Sequence, residues 1–413
     1  MVKEGGKMDK IVLFDDKQNC CGCGACSVVC PQNTIHMKED PSGFRYPEIE
    51  YANCISCGAC KRVCAFQKEG TLFEPRSTYA AATRNTDIMK SASGGIFASF
   101  AKWFLEQGGV VYGAILESRN GTLVPLHIGI DRIEALEALQ GSKYVQSDLA
   151  DVFSAIKRQL HEGRYVLFSG TPCQVDALRS YLGNKAYESL LLIDIICHGV
   201  PSARMFQDYI RMLEKKCKGK IVNFTFRDKA YGWGIIGSYE FLRPDGSRMK
   251  RKLLLRESSY YSLFNDSHIY RENCYSCPYA GRLRAGDLTI GDYWGIQTAH
   301  PEILQEYGGE WDRKKGISCV LVNNKQGERF LHENQENLRL FLSDFSKAAK
   351  VNTQLREPAP RSEWREPLLE LYRLQGYAGV EKWFRKRNRR ELWQIKLKSL
   401  IPQGIKDAIR KRK

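Results

Sequence analysis

The chain has 413 residues, enough for two or three domains and a sizeable core. Its formal charge is +16, but 13 Lys or Arg against 3 Asp or Glu fall between Glu381 and Lys413, leaving 50 against 44 elsewhere. The body is therefore electrostatically ordinary, and the basicity belongs to the carboxyl-terminal stretch. No signal peptide or membrane-length apolar run is evident, and most of the fifteen cysteines stand at metal-ligand spacing, which points to a reducing cytoplasm.

The first element in chain order is a doubled cysteine run. Cys20, Cys23, Cys26 and Cys30 repeat as Cys54, Cys57, Cys60 and Cys64, both with the spacing C-x2-C-x2-C-x3-C. Two-residue gaps let three thiolates wrap one cubane, while the fourth points toward a second. The spacing predicts two 4Fe–4S clusters with crossed ligands: Cys20, Cys23 and Cys26 with Cys64, and Cys54, Cys57 and Cys60 with Cys30. Structural zinc prefers two separated C-x2-C pairs and fits this doubled run poorly. Cys21 competes with Cys20, but only Cys20 preserves the repeat. Thr34-Ile35 and the GFRYPEIE stretch read as short flanking strands, which completes a ferredoxin-type module over residues 1–75.

A linker, KEGTLFEPRS, leads into a region of different character. Ser93-Gly94-Gly95 opens an apolar-periodic helix, IFASFAKWFLEQG, and taken alone this glycine pair is a plain helix start. VVYGAIL and HIGI read as strands. After a helix over 149–160, RYVLFSG runs into Gly170-Thr171-Pro172-Cys173 and the helix QVDALRSYL. SLLLIDIIC then ends at Cys197, and His198 turns the chain into the helix ARMFQDYIRMLEKK. Strand and helix alternate as in a parallel sheet. Cys173 and Cys197 both fall at the carboxyl edge of such a sheet, where ligands bind. IVNFTFRDK, SYEFLRP and KRKLLLRE read as antiparallel strands with a turn at Pro244-Asp245-Gly246. A loop-rich stretch follows, then the strand ISCVLVNN and the helix KQGERFLHENQENL.

Four thiols remain at loop positions: Cys173, Cys197, Cys274 and Cys277. One C-x2-C pair with two singletons at strand ends suffices for a third 4Fe–4S cluster, with zinc as the alternative. Cys217 and Cys319 lie inside helix and strand patterns and read as packed residues.

Seven segments appear together between Tyr79 and Asn324: SASGG, GSKYVQS, VLFSGTPCQVDAL, IDIICHGVPS, FRDK followed by GWG, CYSCPYA and DLTIGDYWG. With them the chain resembles the family of coenzyme F-420 hydrogenase/dehydrogenase beta subunits, preceded by a bacterial ferredoxin domain. The resemblance implies an oxidoreductase with FAD in the middle domain and a 4Fe–4S cluster beside it. It also implies hydride exchange with a soluble carrier, either deazaflavin or NAD(P)H. It carries the third-cluster ligand role onto Cys173, Cys197, Cys274 and Cys277. For the flavin it points to Ser93, Gly94 and Gly95 at a helix start, where backbone N–H groups favour a pyrophosphate. Ser142, Lys143, Tyr144, Thr171 and Gln174 are the other flavin candidates, with Lys143 and His198 as catalytic candidates. Arg227, Asp228 and Trp233 stand on the substrate side. Asp287 and Asp292 read as structural hydrogen-bonding groups.

The expected architecture is thus mixed α/β in three parts: the ferredoxin module (1–75), an α/β flavin- and iron–sulfur-binding domain (76–350, divided near residue 150), and a basic amphipathic tail (351–413). Trp383, Phe384, Trp393, Leu397 and Leu400 among dense Lys and Arg suit an anionic membrane surface or an acidic partner better than nucleic acid. Relatives of this architecture are associated with surface-polysaccharide synthesis, a setting the tail would fit. A ferredoxin or another one-electron protein is the expected redox partner. The competing reading is a non-catalytic electron carrier that feeds a partner enzyme.

Overall fold

A computed structural model describes residues 10–67, 70–149 and 151–400. Near the amino terminus, β1 (Ile35–Glu39) and β2 (Arg45–Ile49) pair antiparallel between two single-turn helices, Ala25–Val28 and Ala59–Arg62. Each short helix is entered through a left-handed glycine, Gly24 (φ 79°) and Gly58 (φ 71°). That conformation is costly for residues with a Cβ, and it bends each cysteine loop back on itself.

The body is built on one sheet of eight strands: β3 (Ser77–Thr83), β4 (Val110–Arg119), β5 (Thr122–Ile130), β6 (Val166–Gly170), β7 (Leu190–Ile195), β11 (Leu288–Asp292), β12 (Ser318–Val322) and β13 (Leu338–Ser343). Their spatial order is β13-β3-β12-β11-β7-β6-β4-β5. The central strands β4, β6, β7 and β11 run parallel, whereas β5 on one side and β12, β3 and β13 on the other run antiparallel to their neighbours. The expected parallel sheet is therefore only the middle of a mixed one. β3 and β11 were not legible as strands. The helix expected over KQGERFLHENQENL stops at Glu333, and β13 begins at Leu338.

Both faces of the central strands are apolar, as doubly covered strands require. Leu167, Leu191 and Ile193 join one cluster with helices α1 (Ile96–Glu106) and α6 (Lys325–Glu333). Val166, Phe168, Leu190 and Leu192 face the other way, against α2 (Val152–His161) and α3 (Pro172–Tyr181). Because strands from both sides of residue 150 interleave in this sheet, a division there does not separate two structural units.

Strands β8 (Lys220–Thr225), β9 (Ile236–Leu242) and β10 (Arg248–Leu254) form a second, antiparallel sheet. Its apolar side packs with α4 (Ala203–Cys217), α5 (Ser259–Asn265) and α7 (Arg365–Arg387). Helix α7 breaks at Gly376 (φ 62°) and buries Leu368, Leu369, Tyr372, Tyr377, Val380 and Phe384. Tyr372 donates to Asp208 at 2.6 Å, and Tyr377 shares a hydrogen bond with Ser259 at 2.9 Å. This corrects the reading of 351–413 as a single tail: most of α7 belongs to the core, and Phe384 is not available as a membrane anchor. The exposed basic surface begins on the last turn of α7 and continues along α8 (Arg389–Leu400), where Trp393 and Leu397 are exposed. Residues 401–413 of the predicted tail lie outside the described residues. Among the described residues no helix is long and apolar enough to cross a membrane.

Candidate functional site

The ferredoxin module gathers its cysteines in two crossed groups. Burial first, and then Cys23, Cys20 and Cys64, push the Cys26 thiol up. Burial with Cys23 and Cys20 close by likewise pushes Cys64 up to about 11. Cys64, from the second run, therefore stands among the first three cysteines of the first. Cys30 lines a small cavity with Cys54, Cys57 and Cys60. This is the partition the spacing predicts, and two sets of four thiols match the donor chemistry of 4Fe–4S clusters.

A third set of thiols meets at the carboxyl edge of the central strands. Cys173 lies in the first turn of α3, just after β6, and Cys197 lies two residues past β7. The short turn Glu272–Ser276 and its cap supply Cys274 and Cys277. Burial, with Cys274, Cys173 and Cys277 as neighbours, pushes Cys197 well up. Burial and Cys277 bring Cys274 to about 12. All four line one cavity. Among the described residues no three His, Cys, Asp or Glu side chains converge as a single-ion site.

The framework holding this edge is polar and buried. Arg284 donates to Asp194 (3.0 Å), the Tyr279 carbonyl (2.8 Å), Thr289 (3.1 Å) and the Ile195 carbonyl (3.2 Å). Asp194 also accepts from the backbone N–H of Ala285 (3.0 Å) and Gly286 (2.9 Å). One ion pair thus ties the β7 end that carries Cys197 to the segment that follows Cys277. Asp287 accepts from Arg179 (3.1 Å), Asn324 (2.8 Å) and the Leu192 N–H (2.8 Å). Asp292 accepts from Arg227 and from Trp233 Nε1 (2.6 Å). Both aspartates act as internal hydrogen-bond acceptors.

The flavin candidates do not all meet. Thr171, Gln174 and His198 line the cavity of the third cysteine set. Thr171 Oγ1 lies 3.2 Å from Cys173 Sγ, and the Gln174 side chain accepts from the Thr171 N–H at 3.0 Å. Ser93, Gly94 and Gly95 sit elsewhere, packed on the sheet. Ser93 donates to the Ile317 carbonyl (3.0 Å), and the Gly94 N–H donates to Ser318 (2.9 Å). A Cβ on Gly94 would stand 2.4 Å from the Ala81 carbonyl oxygen, so close packing alone demands glycine there. Lys229 donates to the Ser93 carbonyl (2.5 Å), and Asp292 acts electrostatically on both Lys229 and His198.

Lys143 departs from expectation. Its Nζ donates to the carbonyls of Ala138 (3.0 Å), Leu139 (3.1 Å), Gln140 (2.7 Å) and Gly141 (3.4 Å), and so caps the preceding helical turn. Those contacts give Lys143 a structural role at the end of that turn, and burial lowers it to about 7. The neighbouring Tyr144 ring stacks on Phe264 at 4.5 Å between centroids and belongs to an aromatic core. Ser142, beside it, is half-buried.

Sequence reasoning missed the junction between the first and third cysteine groups. Cys21 is buried, and Cys23 and Cys173 stand close enough to it to push its thiol well up. Gln146 donates to the Cys21 carbonyl at 2.9 Å. The fully buried Arg271 donates to the Cys20 carbonyl at 2.9 Å and reaches Cys20 Sγ at 3.8 Å. Gln146 lies inside the GSKYVQS segment, but no local pattern marks Arg271.

Together the fold and sites define an iron–sulfur protein of oxidoreductase type, in which a dicluster module is docked on a mixed α/β domain. Residues 19–68 match the 4Fe-4S dicluster domain. Residues 163–348 match the family model described as the C terminus of the Coenzyme F420 hydrogenase/dehydrogenase beta subunit. An uncharacterized protein of Methanocaldococcus jannaschii is 23% identical over 353 residues, covering 76% of this chain and 86% of the relative. The F subunit of the F(420)H(2) dehydrogenase of Methanosarcina mazei is 26% identical over 190 residues, 43% of this chain and 53% of that relative. The match thus spans about half of the latter's length. A chain of the F420-reducing NiFe hydrogenase complex from Methanosarcina barkeri aligns with a TM-score of 0.40 and 14% identity, over 77% of this chain and 93% of that one.

Proposed function

We propose that the chain is an iron–sulfur flavoenzyme that exchanges a hydride with a soluble carrier or substrate at FAD and single electrons with a ferredoxin-like partner. The observation that carries this reading is the gathering of Cys173, Cys197, Cys274 and Cys277 from separate segments onto one sheet edge, with Cys21 close to both Cys173 and Cys23 of the ferredoxin module. Four half-buried cysteines lining one cavity suit a third 4Fe–4S cluster. FAD would supply the conversion between two-electron and one-electron chemistry.

The chain's own residues have defined roles in this reading. Thr171 and Gln174 hold the Cys173 loop in shape through the hydrogen bonds given above and stand next to where a flavin ring would meet the cysteines. The uncapped amino terminus of α1 after Gly95 presents backbone N–H groups to a pyrophosphate. His198, at the cavity, is the group available to hold or release a proton there. The carrier's identity, deazaflavin or NAD(P)H, is open to direct assay with each.

The test is the iron, sulfide and flavin content of anaerobically purified protein, with EPR of the reduced form. About twelve irons and one FAD are expected from three clusters. About eight irons without flavin would leave a two-cluster electron carrier and reject the enzyme.

A further inference from the structure

Arg271 is a buried cation without a conventional partner. It is fully buried, at 0% exposure, and among the described residues no carboxylate forms an ion pair with it. Its acceptors are the Cys20 carbonyl, the Gln146 side chain at 3.4 Å and the Cys20 sulfur at 3.8 Å. The guanidinium also lies over the Tyr46 ring, 4.1 Å from its centroid. Carbonyl, amide and ring dipoles stabilise a guanidinium only in part, and an unpaired charge at this depth is strongly unfavourable. Among these acceptors only the Cys20 sulfur can carry a full negative charge. A 4Fe–4S cluster with four thiolates carries a net negative charge, and cluster potentials respond to nearby charge and to hydrogen bonds at the sulfurs.

We propose that Arg271 is the built-in counter-ion of the cluster held by Cys20, Cys23, Cys26 and Cys64, and that it raises that cluster's reduction potential. This deepens the reading above and rests only on its dicluster part, not on FAD or on the third cluster. Several features keep the cation in place. The Arg271 N–H donates to the Val200 carbonyl (2.9 Å), and the Arg271 carbonyl accepts from the Cys274 N–H (3.0 Å). The counter-ion is therefore carried by the segment that also carries Cys274, not by the ferredoxin module. A Cβ at Gly22 would come within 2.9 Å of the guanidinium carbon, so Gly22 leaves the space the cation fills. The body thereby sets the energetics of a cluster whose cysteines all belong to the module, and it favours placing the electron on the cluster nearest the third cysteine set.

The experiment compares the full-length wild type, Arg271→Lys and Arg271→Gln, purified anaerobically, by iron content and EPR-monitored redox titration. With iron content kept, Arg271→Gln should lower the midpoint of one ferredoxin-module cluster, while Arg271→Lys, which keeps the charge, stays near the wild type. Unchanged midpoints in a fully loaded Arg271→Gln protein would overturn the proposal. If Arg271→Gln fails to load that cluster, Arg271→Lys decides: loading retained with lysine supports a charge role, and loading lost in both assigns a role of shape and overturns it. A wild type with about eight irons and no flavin would reject the flavoenzyme reading while leaving the Arg271 comparison fully readable.

Discussion

Replacing Asp194 by Asn tests what holds the third cysteine set together. The two side chains have nearly the same shape, so packing is kept while the charge is removed. Asp194 is 0% exposed, and its partner Arg284 is 1% exposed. Asn would leave Arg284 as an uncompensated buried cation and would turn an amide N–H₂ toward donors now satisfied by carboxylate oxygen, the Ala285 and Gly286 N–H groups or Arg284 itself. Breaking one side of a buried pair costs about 3–5 kcal/mol. The loss or weakening of two backbone hydrogen bonds, about 1 kcal/mol each, falls inside that range when the effects overlap. In a chain of this size the result should be a fall in Tm of roughly 3–6 °C. The assay is anaerobic thermal unfolding of wild type and Asp194→Asn, read beside iron content. The variant should lose stability, and any iron loss should come from the third set, because Asp194 lies three residues before Cys197. A Tm within about 2 °C of wild type would refute the reasoning and show that the Arg284 pair is energetically dispensable.

Burial pushes His127 down to about 4, and its ring nitrogens are engaged by Ser147 (2.7 Å) and the Ser169 carbonyl (3.0 Å). The unfolded chain takes up that proton near pH 6.5, so stability falls as pH drops from about 6.5 toward 4, by about 2 kcal/mol at pH 5. Urea unfolding of wild type and His127→Gln at pH 7.5 and 5 should show a smaller pH dependence in the variant. Gly94→Ala, with its Cβ against Ala81 and Ser318, should cost about 1–3 kcal/mol even in flavin-free protein; a change confined to flavin content would instead give Gly94 a ligand role. Deleting 389–413 should leave the thermal unfolding of the body intact and weaken pelleting with vesicles rich in anionic lipid, whereas deleting 365–413 should expose the face under Leu368, Tyr377 and Phe384 and yield insoluble protein. Equal vesicle binding with and without 389–413 would rule out a membrane role for that stretch.

Much of the redox chemistry was legible in the sequence because it is written in local spacing. Two-residue gaps and a repeated run place four thiols within each of two short stretches, Cys20–Cys30 and Cys54–Cys64, and no distant contact is needed to recognise them. Strands such as VLFSG and LLLIDI were equally legible, since both faces are apolar and the adjoining helices keep a helical period. β3 and β11 were not, because STYAAAT is small and weakly patterned and LTIGD sits between glycines; each is a strand only because a neighbour supplies its ladder. The carboxyl-terminal stretch was misread for a related reason: its charges are dense enough to hide the apolar face that α7 buries.

Local patterning suffices for the eight-thiol module, the βα alternation and the candidacy of the four remaining cysteines, since each depends on residues close along the chain. Three-dimensional packing is what brings Cys173, Cys197, Cys274 and Cys277 to one cavity and sets the Lys143 ammonium against a helix end. It alone sets Arg271 against Cys20, some 250 residues away in sequence. Burial and the pairing of buried charge are properties of three-dimensional neighbours, and no local pattern encodes which distant segment will supply them.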